Sequence, residues 1–174
     1  LMLHVIHESI LVFNALRKNK KKKPEVKTED LPMVTIQLPL YNEKYVIERL
    51  LNAISELDYP KEKLEIQILD DSTDETTEVI KEYIQKHNSN FVLVNRENRE
   101  GYKAGALAYG LEFSKGEFVA IFDADFVPAV DFLKQTIPFF QNPKVGVVQT
   151  RWLHINEDQS MLTRAQAIML NTHF

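Results

Sequence analysis

From residue 31 onward, short runs rich in β-branched and large apolar residues alternate with longer stretches whose apolar residues return every third or fourth position. The short runs occupy 33–38, 64–69, 91–94, 118–122 and 145–150 and predict five strands. The longer stretches predict helices over 45–57, 72–86, 102–113, 130–140 and 161–171. Within 45–57, Val46, Ile47, Leu50, Leu51, Ile54 and Leu57 share one helical face. Within 72–86, Val79, Ile80, Tyr83 and Ile84 point inward, and Ser72 and Glu75 stand at capping-box spacing. Strands alternating with helices of this length build βαβ units. The pattern therefore predicts an α/β fold with a mainly parallel sheet in three α/β/α layers.

The first 32 residues follow a different pattern. Residues 1–16 are mostly apolar but carry His4, His7 and Glu8, and a basic run follows: Arg17, Lys18, Lys20, Lys21, Lys22, Lys23 and Lys27. The apolar part is shorter than the roughly 20 residues a bilayer takes. Its charge comes after it, which is not the order of a signal peptide. One reading is the last turns of a membrane helix in a cut chain that opens on Leu1, with the basic run marking the cytoplasmic side. The other is a short interfacial helix with a solvated basic tail. Residues 17–32 then form a basic linker into a domain over 33–174.

Composition narrows the function. Of 174 residues, 44% are hydrophobic and 26% charged, which is the balance of a globular domain with its own core. The net charge of −4 divides into +5 over 1–27 and −9 over the rest, so the domain has no general attraction to nucleic acid. The chain has no Cys, which excludes a disulfide scaffold, a Cys-ligated zinc site and a thiol nucleophile.

Parallel sheets bind ligands outside the carboxyl ends of their strands, and here four strand ends carry unusual polar clusters. Leu38-Pro39-Leu40-Tyr41-Asn42-Glu43 follows the first strand and Asp70-Asp71-Ser72-Thr73-Asp74 the second. The third leads through Asn95 to Arg99-Glu100-Gly101-Tyr102-Lys103-Ala104-Gly105, and the fourth runs into Asp123-Ala124-Asp125. Asp123 and Asp125, two apart on an extended segment, aim to the same side and repel unless a cation lies between them. Mg²⁺ or Mn²⁺ with one or two carboxylates and ligand phosphates is the usual solution. Lys103 and Arg99 sit at a helix N-terminus, where the macrodipole disfavours cations, so an anion such as phosphate is expected beside them. Gly101 and Gly105 would let backbone approach that anion closely. Asp71 is either a turn residue or free to face the crevice, and Tyr41 either packs in the core or stacks on a base.

Other chemistries lack their residues. There is no P-loop and no G-x-G-x-x-G fingerprint, and no Ser sits in a G-x-S-x-G elbow. A sugar-nucleotide nucleotidyltransferase would carry a Gly- and Arg-rich loop after the first strand, where this chain has none.

The ordered motifs LPLYNE, LDDSTDET, REGYKAGAL, FDADF and VGVVQTRW resemble the family-2 glycosyltransferases of the GT-A fold. The likeness covers about 33–174, and it is nearest to membrane-embedded, cellulose-synthase-like synthases of the mannan and glucan branch. The resemblance implies an inverting transferase that takes a sugar from a UDP- or GDP-sugar donor to a glycan or lipid acceptor. Pro39, Tyr41 and Glu43 would line the nucleoside pocket and Asp71 would meet the base or ribose. Lys103 would face the nucleotide-sugar, and Asp123 the ribose or metal-bound water. Asp125, with Asp123, would hold Mg²⁺ or Mn²⁺. The general base of such enzymes lies well beyond the D-x-D and is expected past Phe174. Asn156-Glu157-Asp158 comes too soon to supply it, and Gln149-Thr150-Arg151-Trp152 is one residue short of the family's Q-x-x-R-W. A single-addition enzyme like ceramide glucosyltransferase, and a non-catalytic nucleotide-binding module, are the alternatives.

Overall fold

A computed structural model describes residues 31–87, 90–151 and 153–171. The apolar segment 1–16, all but the end of the linker 17–32, and Trp152 lie outside the described residues. Those described fall into two compact units divided after Pro138.

The first unit is built on four parallel strands: β1 (Val34–Leu40), β2 (Leu64–Asp70), β3 (Phe91–Asn95) and β4 (Phe118–Ile121), in the order β3-β2-β1-β4. Between them run α1 (Ile47–Ser55), α2 (Thr76–His87) and α3 (Tyr102–Leu111), and α4 (Phe132–Thr136) follows β4. Parallel strands with helical crossovers on both faces form the expected three-layer α/β/α fold. Val34, Ile36, Leu38 and Leu40 of β1 project to one face with Leu64, Ile66 and Ile68 of β2, and all are buried. Ile47, Leu50, Leu51 and Ile54 of α1 join them in one core with Ile80 and Tyr83 of α2.

The opposite face is polar, yet it is buried as well. Gln37 and Gln67 lie beneath Gly110 at the end of α3, and Thr35 and Glu65 meet the segment that follows it. The Thr35 hydroxyl donates to Glu65 Oε2 at 2.8 Å, as does the Lys115 backbone N–H, and Gln37 Nε2 donates to Gln67 Oε1 at 3.1 Å. Each polar group meets a partner inside the protein, so its removal from water is compensated.

Pro39 shows why the sheet splits. The Gln37 carbonyl accepts from Phe122 N on the β4 side, while the Leu40 carbonyl accepts from Asp71 N on the β2 side. Alternation puts Pro39 on the β4 side, where its missing N–H has no ladder bond to make. Pairing of β1 with β4 ends at Gln37–Ile121, whereas pairing with β2 continues to Leu40–Asp70. A crevice opens between β1 and β4, at the point where strand order reverses.

Three expectations are corrected. Residues 145–150 form no strand; they belong to the second unit, and the β-rich run VGVV has no ladder partner among the described residues, its first N–H turning back to the Asn142 carbonyl at 2.9 Å. The helix expected over 130–140 shortens to α4 and continues as a 3-10 segment, Ile137–Gln141, because Pro138 has no N–H for the α-helical ladder. Ser72 does not cap α2: its Oγ accepts the Asn42 N–H at 2.9 Å. Asp74 Oδ1 instead accepts the Thr76 N–H at 3.0 Å, and Glu75 pairs with Lys44 at 2.7 Å. The second unit holds a 3-10 turn, Glu157–Gln159, and α5 (Met161–Asn171), whose Arg164 reaches back to Asp158 at 2.8 Å.

Candidate functional site

The crevice is a cleft of about 390 Å³. Pro39, Tyr41 and Glu43 enter it from the end of β1, Asp71 from the end of β2, Lys103 from α3, and Asp123 and Asp125 from the end of β4. All seven residues singled out in the sequence thus line one cleft. Leu40, Val46, Ala106 and Ala124 supply its apolar walls.

The neighbouring aspartates at the end of β2 part company. Asp70 is buried: its Oδ1 accepts the Ser72 N–H at 3.0 Å and its Oδ2 accepts the Thr77 hydroxyl, tying β2 to the start of α2. Asp71 faces the cleft and forms a bidentate pair with Arg96, through Nε at 3.0 Å and a short bond from Nη2. The same guanidinium donates to the carbonyls of Glu100 (2.8 Å) and Tyr102 (3.1 Å), so it clamps the loop before α3 to the end of β2. Hydrogen bonding to Asp71 holds the Arg96 guanidinium above its ordinary pKa.

That loop turns sharply into α3 through Gly101 (φ 68°) and Tyr102 (φ 50°), both left-handed. Gly105 serves packing rather than an open approach to a ligand. A Cβ there would lie 2.0 Å from the Glu100 carbonyl oxygen and 2.7 Å from Arg96 Nη1. Lys103, one residue into α3, crosses the cleft to a short ion pair with Asp123 Oδ1. The Asp125 side chain is exposed and meets no protein donor among the described residues, while its backbone carbonyl accepts from Arg49 at 3.4 Å.

Arg99 also lines the cleft, a residue the sequence placed beside Lys103 and its expected anion but did not count among the site residues. Its guanidinium lies over the Tyr41 ring, with Cζ 3.3 Å from the centroid. Tyr41 is therefore neither a core residue nor a bare stacking surface: it is 40% exposed, with one face covered by a cation.

A parallel sheet that opens at its switch point onto paired carboxylates, a lysine at a helix start and an aromatic shelf can take a metal-bridged anion with a flat group attached. The model of the family described as "Glycosyl transferase family 2" matches residues 35–173. Glucomannan 4-beta-mannosyltransferase 1 of Cyamopsis tetragonoloba is 44% identical over an alignment of 183 residues, covering 95% of this chain and 34% of that protein. A mannosyltransferase from Pyrobaculum calidifontis, solved in complex with GDP-Man and Mn²⁺, superposes with a TM-score of 0.69 at 33% identity, covering 86% of this chain and 43% of that one. S. aureus TarS 1–349 in complex with UDP-GlcNAc superposes with a TM-score of 0.57 at 25% identity, covering 70% of this chain and 38% of that one. The chain spans about a third of the length of the Cyamopsis relative. With the family model matched from the second residue of β1 to beyond the end of α5 and the cleft residues falling within its span, this chain belongs to glycosyl transferase family 2.

Proposed function

We propose that the protein transfers mannose from GDP-mannose, with inversion, to the end of a β-linked glycan, and that it does so at a membrane surface. The observation that carries this reading is the single cleft in which the polar ends of β1, β2 and β4 meet Lys103. The relatives named as mannosyltransferases support the sugar. The apolar segment and basic run of 1–27 support the membrane setting, although no helix among the described residues is long and apolar enough to cross one.

The cleft fits a divalent cation. Asp123 and Asp125 are hard oxygen donors, and Asp123 already holds a positive charge, that of Lys103. No three His or acidic side chains among the described residues stand close enough together to hold a metal ion by themselves, so phosphate and water would fill the remaining positions, as Mg²⁺ and Mn²⁺ accept. Bound there, the cation would neutralise charge on the departing diphosphate. Pro39, Tyr41 and Glu43 border the nucleoside, and Asp71, fixed by Arg96, presents its remaining lone pairs to the base or ribose. Lys103 turns from Asp123 to the diphosphate. The acceptor hydroxyl attacks the anomeric carbon opposite the diphosphate; the bond from that carbon to phosphate oxygen breaks as the new glycosidic bond forms. The hydroxyl proton passes to a carboxylate base, which we assign to the part of the relatives' length that this chain does not span.

The test is full-length protein incubated with GDP-mannose, Mn²⁺ and β-1,4-linked manno-oligosaccharides, with products read by mass spectrometry. The expected result is oligosaccharides longer by whole mannose units, abolished by chelator and by Asp125→Ala. Donor binding without transfer to any acceptor would reduce the protein to a nucleotide-binding module. Transfer of one sugar to a lipid alone would replace the glycan acceptor.

A further inference from the structure

We propose that Arg99 reads the base of the donor nucleotide and selects guanine over uracil. The inference rests on the nucleotide-sugar reading above and adds to it the residue that chooses the nucleotide.

Two arginines leave the loop between β3 and α3 with opposite fates. Arg96 spends its donors on Asp71 and on two backbone carbonyls. Arg99 shares the cleft with four carboxylates, those of Glu43, Asp71, Asp123 and Asp125, yet pairs with none of them. It is held by stacking: its Cζ lies 3.3 Å from the Tyr41 centroid and 5.1 Å from that of Tyr102. Its Nε–H is shut off from solvent and has no acceptor. A buried donor without a partner is an unfavourable resting state, relieved by whatever brings an acceptor to it.

The acceptor belongs to a flat ligand. In the reading above the diphosphate has Lys103 and the cation that Asp123 and Asp125 would hold, both at residues other than Arg99. Arg99 instead lies on the aromatic shelf, where planar groups stack. A guanidinium presents a planar fork of donors, and the base that matches it is guanine, whose O6 and N7 are adjacent acceptors in one plane. Uracil offers O4 alone on the corresponding edge, so one bond of the pair is lost. Adenine and cytosine would turn an amino donor against the fork.

Calorimetry on full-length protein with Mn²⁺ tests this, using GDP, UDP and 7-deaza-GDP, in which a C–H replaces the N7 acceptor. The wild-type protein is expected to bind GDP about tenfold or more tighter than UDP, with 7-deaza-GDP several-fold weaker than GDP. Arg99→Ala and Arg99→Lys are expected to remove the GDP preference and to erase the 7-deaza difference, with UDP, which has only its O4 bond to lose, weakened by a smaller factor than GDP. Retained UDP binding shows that the variants are folded, and the lysine variant separates the fork from the charge. An equal loss for GDP and UDP, an unchanged GDP preference in both variants, or a wild-type preference for UDP each overturns the role of Arg99. A wild-type protein that binds no nucleoside diphosphate overturns the nucleotide-sugar reading itself.

Discussion

Tyr59 is a residue whose ionisation the fold controls. Its side chain is buried and its hydroxyl donates to the Pro32 carbonyl at 2.6 Å. Burial, with Glu117's charge adding to it, pushes the phenol up to about 12 from its ordinary 10.0. The folded state therefore favours the protonated phenol. That contribution is complete below pH 10 and is lost as pH rises from 10 toward 12, where the unfolded chain has released its proton and the folded one has not. Tyr59→Phe is expected to lower stability at pH 8 by about 1 kcal/mol, the worth of one hydrogen bond. In urea titrations the variant should lose less stability than wild type between pH 10 and 12; parallel curves would refute the assignment. At this same scale, the sequence singled out Asp71 for the cleft while leaving a mere turn role open, and it gave Asp70 no role. Only the positions of Thr77 and Arg96, seven and 25 residues away, turn Asp70 inward and Asp71 to the cleft.

Among the elements, α3 depends most on what lies beneath it. A Cβ at Gly110 would come within 2.7 Å of Leu69, 2.8 Å of the Gln37 amide and 2.9 Å of the Gln67 amide. Gly110→Ala is expected to lift the helix from the sheet and cost about 1–3 kcal/mol, the range for overpacking. Because α3 carries Lys103, weaker GDP binding should accompany the lower denaturant midpoint. Glu65→Ala attacks the same contact from the sheet side. It leaves the Thr35 hydroxyl and the Lys115 N–H without their acceptor, at about 1–3 kcal/mol for the first buried donor alone. A thermal melt unchanged by Glu65→Ala would show that water replaces the carboxylate. The four strands and three crossover helices of the first unit were legible because each β-rich run there finds a pairing strand and helical spacing marks the crossovers between them. The expected strand at 145–150 was not, because a strand exists only when another strand pairs with it, and local pattern carries no information about partners.

For the whole molecule, metal and nucleotide binding should be coupled. The protein offers two carboxylates at the end of β4, one of them already paired with Lys103. Mn²⁺ alone is therefore expected to raise the melting temperature little, and GDP in chelator little more. Together, at about 100 times the dissociation constant, they should stabilise the full-length protein by roughly 2.7 kcal/mol, an effect lost in Asp125→Ala. Equal shifts with and without metal would remove Asp125 from metal binding.

By itself, the sequence determined the α/β class, the parallel order implied by alternating elements, and the seven residues that meet in the cleft. The first two follow from local rules, since periodicity sets the element type, and a parallel sheet exposes whatever stands just past its strand ends; the choice of the seven among those polar clusters is what the family resemblance implied. Tertiary structure alone decided three other matters. It buried the polar positions Thr35, Gln37, Glu65 and Gln67, whose alternation with apolar residues resembles a solvent-facing strand, because their partners come from a neighbouring strand and from the segment after α3. It ended the β1–β4 ladder just before Pro39, which opened the cleft. And it laid Arg99 over Tyr41, two residues 58 positions apart that no local pattern connects. The division is physical: backbone preference and amphipathicity act over a few residues, whereas satisfying a buried polar group or stacking a cation requires groups that only the folded chain brings together.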